Sequence, residues 1–155
     1  EFFAKTHSTC EGDCENGYGI NIWKTGEKYS GQWENGKMDG KGIYNWPDGD
    51  IYDGEWSRGL KQGYGLWIFG DDKYEGEFYN DVFHGEGTYT YKNGDRHIGE
   101  WKNGLAHGQG TAITSQFTYI GEWKNDLYEG KGKIILKNGE TINGLFKESQ
   151  LIEKY

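Results

Sequence analysis

The sequence predicts an all-β fold: an elongated, open antiparallel meander of about six 22–23-residue β-hairpin repeats, twisted into a trough. Three observations lead there. A glycine, a middle residue and an aromatic recur at Gly31-Gln32-Trp33, Gly54-Glu55-Trp56, Gly76-Glu77-Phe78, Gly99-Glu100-Trp101, Gly121-Glu122-Trp123 and Gly144-Leu145-Phe146, with glycine steps of 23, 22, 23, 22 and 23 residues. A Gly-x-Gly mark keeps the same beat, from Gly17-Tyr18-Gly19 to Gly130-Lys131-Gly132. Two marks locked at one period are the signature of a repeat architecture. The composition agrees: 34% of residues are hydrophobic, yet 17% are aromatic and 27 are glycine. That is too little aliphatic content for an ordinary core and too much aromatic content for disorder.

Taken from the start of the chain, residues 1–9 read as a tail or cloning remnant, and residues 10–155 as one repeat domain. Cys10 and Cys14 fall where the next repeats place their leading tyrosine and their tryptophan. Two readings remain open. On one regular strand, residues four apart lie ~13 Å apart and both thiols stay reduced, because a disulfide needs Cα atoms within ~7 Å. Alternatively the N-terminus curls into a disulfide-closed cap. The connection from Gly12 to Gly17 is four residues shorter than that from Gly31 to Gly40, which favours the cap.

In the unit that follows, Tyr29, Gly31 and Trp33 alternate with polar residues and share a strand face. Asn35-Gly36 signals a two-residue type I′ hairpin. Its register is expected to pair Glu34 with Lys37, Trp33 with Met38, Gln32 with Asp39 and Gly31 with Gly40. Pro47-Asp48-Gly49 suits a three-residue loop with glycine left-handed, and Lys24-Thr25-Gly26, Lys92-Asn93-Gly94 and Lys137-Asn138-Gly139 repeat the design. Tyr44 then faces Tyr52, and Gly42 faces Gly54. Two of these loops are one residue shorter, which explains the alternation of 22 and 23. Gly70-Asp71 suits a type II′ turn, whereas Ser115-Gln116 lacks glycine and is expected to be the most strained or mobile tip. The whole face-to-face pattern puts glycines and aromatics on one side and charges on the other. Residues 147–155 are expected to cap the last repeat as a short helix or a closing strand, since open edges need covering.

Units such as YSGQWENGKMDGKGIYNWPDG and YDGEWSRGLKQGYGLWIFGD resemble the MORN repeat, a family of glycine- and aromatic-rich β-hairpins. The resemblance covers about residues 12–146. His97 and Ile142 depart from it at the leading tyrosine, Leu145 at the acidic position, and Ala112 with Thr114 where aromatics are usual. The opening CEGDCENGYG is similar to the start of some bacterial exported members. The resemblance implies scaffolding, dimerisation, membrane tethering or regulation of an attached enzyme domain.

Among the residues themselves, the same register makes Glu77 the partner of His84 and Glu100 the partner of His107. These read as cross-strand charge pairs rather than as a metal or acid–base site. Acidic loop tips read as turn chemistry, because a calcium site needs six or more converging oxygens. No metal, cofactor or catalytic constellation is expected, so the chain reads as a non-enzyme. The candidate partner-binding residues are Trp23, Tyr44, Trp46, Trp67, Phe69, Tyr89 and Tyr91, which fall on one side towards one edge. A single-layer sheet leaves such a face to meet a partner. The expected function is a non-catalytic protein-binding or scaffold module for a protein, a peptide or a second copy. Peripheral membrane or phosphoinositide binding, and a regulatory repeat domain of a larger enzyme, are the alternatives. The net charge of −8 argues against nucleic acid and disfavours anionic lipid. An exported or cell-envelope location is expected if Cys10 and Cys14 are bridged, and a cytoplasmic one otherwise.

Overall fold

A computed structural model describes residues 8–155. These residues form fourteen strands and, among the described residues, no helix. The chain divides between Asp81 and Val82 into two compact units. The first holds β1 (Ser8–Gly12), β2 (Tyr18–Trp23), β3 (Lys28–Glu34), β4 (Lys37–Asn45), β5 (Ile51–Ser57), β6 (Leu60–Phe69) and β7 (Asp72–Tyr79). The second holds β8 (Val82–Thr90), β9 (Arg96–Lys102), β10 (Leu105–Ile113), β11 (Phe117–Lys124), β12 (Leu127–Leu136), β13 (Thr141–Lys147) and β14 (Gln150–Lys154). Within each unit every strand pairs antiparallel with its sequence neighbours, and neither unit closes into a barrel. The expected all-β meander of hairpin repeats is therefore the observed fold.

The turns follow their residue types. Asn35 and Gly36 have φ of 50° and 68°, the two positive values of a type I′ turn. Asn80-Asp81, Asn125-Asp126 and Glu148-Ser149 take the same shape without a glycine. In the loop Pro47-Asp48-Gly49, Trp46 N–H donates to Asp50 O and Gly49 N–H to Trp46 O. Gly70 alone is left-handed in the short loop that joins Phe69 to Asp72, as a type II′ turn requires. The Ser115-Gln116 tip is not strained: neither residue has a positive φ. Thr114 closes it instead, its Oγ1 accepting from the amides of Gln116 and Phe117 at 3.2 and 3.0 Å.

The register needs one correction. Trp33 pairs with Met38 as expected, but Gly31 pairs with Gly42, not Gly40. Asp39, Gly40 and Lys41 bulge opposite Gln32. Gly40 adopts φ 84°, a conformation glycine takes without strain. The bulge turns the Lys41 amide towards Gln32, whose Oε1 accepts it at 2.7 Å. Glu55, Glu100 and Glu122 do the same for Tyr64, Gln109 and Lys131. The recurring polar residue thus caps a bulge. Because the bulge adds two residues, every side chain keeps its face, which is why the aromatic pattern survives the error.

The core is a ladder of rings. Tyr29, Tyr52, Tyr74 and Tyr119 are fully buried, and each donates its hydroxyl to a carbonyl three residues on: Gln32, Glu55, Glu77 and Glu122. In the first unit Tyr29 meets Trp33 and Trp56 edge-on, and Tyr52 meets Trp56 and Phe78 likewise, with centroids 4.9–5.6 Å apart. Edge-on packing sets the positive rim of one ring against the negative face of the next. Trp33 and Trp56 donate Nε1–H to Gly19 O and Gly42 O. The opposite face is less charged than expected, since Ile22, Ile43, Ile68, Ile98 and Ile120 are exposed among its charges. β-branched side chains stabilise a solvated strand surface.

The N-terminus resolves the two cysteine readings by combining them. Cys10 lies on a regular β1, paired with Asn21, and it is also bridged to Cys14, with Cα atoms 6.3 Å apart. Gly12, at φ 85°, turns the chain back so that Cys14 returns to β1 rather than continuing it. Ser8 and Thr9 pair with Trp23 and Ile22, while residues 1–7 of the expected tail lie outside the described residues. At the other end the closing element is a strand, β14, paired with β13.

Candidate functional site

The expected binding residues sort into three groups. In the first unit Trp23 stacks on Tyr44 with centroids 5.7 Å apart, and Tyr44 packs on Trp46 at 4.4 Å. Tyr44 is only 4% exposed, and burial pushes its hydroxyl pKa up to about 12. It belongs to the core and supports the edge rather than presenting itself. Trp67 and Phe69 pack at 4.4 Å and stay half-buried, as do Trp23 and Trp46. In the second unit Tyr89 packs on Tyr91 at 4.5 Å, and Tyr91 is the most open of the seven. The pairs Tyr44/Trp46, Trp67/Phe69 and Tyr89/Tyr91 arise because residues two apart on a strand share a face.

One residue that sequence reasoning missed stands among them. Lys61 is 8% exposed, and its Nζ lies 3.8 Å from the Trp67 ring centroid, 5.4 Å from Trp46 and 5.6 Å from Tyr52. The rings attract the ammonium through their electron-rich faces. Desolvation pushes its pKa down, and the carboxylates of Asp81 and Asp50 oppose that shift. The signal was present in the repeat: Lys61 occupies the place of Met38, Phe83, Ala106 and Tyr128, all inward-facing.

The second unit holds an open cavity of about 420 Å³. Its walls include Tyr89, Tyr91, Trp101 and Trp123, and its floor Ala106 and Ala112. His97, in a tyrosine position, lies edge-on to Trp101 and Trp123 at 4.9 and 4.3 Å. Burial pushes its pKa down to about 4, against the pull of Asp126, so the ring is neutral. The shorter imidazole does not make the carbonyl bond that the tyrosines make, and His97 Nε2 and Trp123 Nε1 are both buried without a hydrogen-bond partner. Ala112 and Thr114 were visible as departures from the repeat, but that they open a cavity was not.

The expected Glu100–His107 pair is not formed as drawn. The bulge places His107, Gly108 and Gln109 together opposite Glu100, whose carboxylate accepts the Gln109 amide. Among the described residues no group of three or more His, Cys, Asp or Glu side chains is placed to hold a metal ion. Nor is any helix among them long and apolar enough to cross a membrane.

A family model described as MORN repeat matches residues 29–51, 52–72, 74–96, 97–113 and 119–141. These five matches cover most of the chain, and the protein belongs to the MORN-repeat family. MORN repeats are commonly involved in protein or membrane-lipid interactions and are generally non-catalytic. A comparison with curated proteins found no significant match.

Proposed function

We propose that this MORN-repeat chain is a non-catalytic binding module that takes a protein partner on its aromatic edge. The observation that carries the reading is the group Trp46, Trp67 and Phe69. These large rings stay half-open on one face of a sheet, Trp46 packed on the buried Tyr44 and Trp67 on Phe69. Rigid aromatic anchors at low entropic cost are what protein interfaces use as hot spots. Residues 48–86 hold ten acidic and three basic residues, a net of −7, so the partner surface is basic. The Cys10–Cys14 disulfide supports an oxidising compartment, and with it an exported or cell-envelope location.

The test is an affinity capture from the native source with wild type, Trp46→Ala and Trp67→Ala, each checked for fold by circular dichroism. The wild type retains a partner that both variants lose. Partners retained unchanged by both folded variants sink the reading. Pelleting with phosphatidylserine or phosphoinositide vesicles at physiological salt, lost on neutralising Lys131 and Lys133, would put a membrane in place of the protein.

A further inference from the structure

The chain carries its own comparison for the cavity of the second unit. A shift of 45 residues superposes the two short-looped repeats: Leu60-Lys61-Gln62-Gly63 on Leu105-Ala106-His107-Gly108, and Trp67 on Ala112. The same shift carries Asp50 to Asp95 and Asp81 to Asp126. Asp81 and Asp126 are singular among the equivalent turn residues, which are otherwise Gly36, Gly59, Gly104 and Ser149. Each accepts a left-handed φ, 71° and 69°, and each takes the amide of the residue in question, Lys61 N and Ala106 N, at 2.7 Å. In the first unit the aspartates face an ammonium set among rings. In the second they are kept, while the lysine stem and the indole that would cover it are both absent.

What remains is an open space with aromatic walls, two carboxylates and a neutral His97. His97 is 4% exposed, and its Nε2 lacks a partner. That nitrogen lies over Gly110 beside Trp123 Nε1, so His97 gives the cavity a neutral wall and leaves Asp95 and Asp126 as its anionic groups. Arg96 is the opposing cation of the lining, at its exposed rim. The volume of about 420 Å³ is within the range of ligand sites and far above that of one water.

We infer that this cavity receives a lysine side chain of the protein partner, its ammonium standing where the second repeat pair has lost its own lysine. An ammonium offers three donors and no acceptor. The carboxylates of Asp95 and Asp126 accept them, and Tyr89, Tyr91 and Trp101 enclose the methylene stem. The inference rests on the chain being a protein-binding module, and it names the residue type that the second unit reads.

The experiment titrates the intact, isotope-labelled protein with Nα-acetyl-lysine methylamide and with its uncharged isostere, the Nα-acetyl methylamide of 2-aminoheptanoic acid. Indole N–H signals of Trp101 and Trp123 report on the cavity, and those of Trp46 and Trp67 serve as controls. The lysine probe alone gives saturable shifts at Trp101 and Trp123, with a dissociation constant on the order of millimolar. Asp95→Asn combined with Asp126→Asn weakens it about tenfold, as loss of a close charge pair does. Ala106→Lys fills the space from within and abolishes binding, and where that variant does not fold, Ala112→Trp closes the cavity in its place. Equal response to both probes, no response to the lysine probe, or undiminished binding by a folded, filled variant overturns the inference. Because no partner enters this titration, its failure leaves the Trp46 and Trp67 capture result standing, and the converse holds too.

Discussion

Gly54 and Gly65 face each other across β5 and β6, and the Tyr52 ring lies over the pair. A Cβ added at Gly65 would sit 2.5 Å from the Tyr52 hydroxyl oxygen and 2.6 Å from its ring. Gly65→Ala therefore displaces the ring and strains its bond to Glu55 O, at a cost of about 1–3 kcal/mol in chemical denaturation. An unchanged midpoint would show that the ring has room the packing denies. His97 makes the stability of the second unit depend on pH. Unfolded imidazole titrates near 6.5, and burial holds the folded ring at about 4. As pH falls the unfolded chain takes the proton first, so stability present above 6.5 is lost progressively down to about 4, by ~3 kcal/mol at most. His97→Tyr, neutral throughout, lacks this loss. Urea unfolding of both proteins at about pH 7 and about pH 4.5 should show a gap that changes with pH, since the neighbouring Asp95, Arg96, Glu100 and Asp126 are common to both and only the residue at position 97 differs. A constant gap contradicts a buried neutral histidine. Lys61 shows why sequence alone stops short at this scale. A lysine on a strand reads as a solvated charge, and only its register with Met38 and Phe83 places it inward.

At the scale of the hairpin, most of the architecture was legible because turn chemistry is local. Asn35-Gly36, Pro47-Asp48-Gly49 and Gly70-Asp71 each dictate a backbone path from two or three residues. The bulge was not legible, because Gly40 and Gly42 look alike in the sequence. One is needed for its positive φ, the other because a ring lies on it. The polar residue before the tryptophan was read as a pair partner, whereas it is the cap of that bulge. Glu55→Ala should leave the Tyr64 amide without its acceptor and speed its hydrogen exchange, with a stability cost of about 0.5–1.5 kcal/mol. Glu55→Gln, which copies Gln32, should restore the protection. Equal exchange in all three would remove the capping role. The first strand offers a matching test. The Cys10–Cys14 bridge closes a short loop, worth about 2 kcal/mol on chain-entropy grounds. Reduction should expose the amides of β1 and its pairing with β2 while leaving those of β3 to β6 protected, because the Tyr–Trp ladder begins at Tyr29. Loss of protection beyond β2 would mean that the bridge holds more than the cap.

Across the whole chain the charge is unevenly placed. Residues 48–86 carry a net of −7, whereas residues 124–154 carry six basic and five acidic residues, a net of +1. Such a layout does not set the fold, which rings and glycines fix, but it does set how a partner is found. Charged surfaces steer encounter through a field that salt screens. Between about 0.1 M and about 1 M salt the screening length shrinks from ~10 Å to ~3 Å, so only charges in near contact still attract. A basic partner approaching the acid-rich repeats should therefore lose about tenfold or more in association rate over that range, while the dissociation rate, governed by buried rings, moves little. Stopped-flow measurement with the captured partner separates the two rates. A salt-insensitive association rate would show that the acidic residues face away from the encounter surface. A dissociation rate that rises steeply with salt would move the binding energy from Trp46 and Trp67 to the charges, and with it the site from the aromatic edge to the acidic loops.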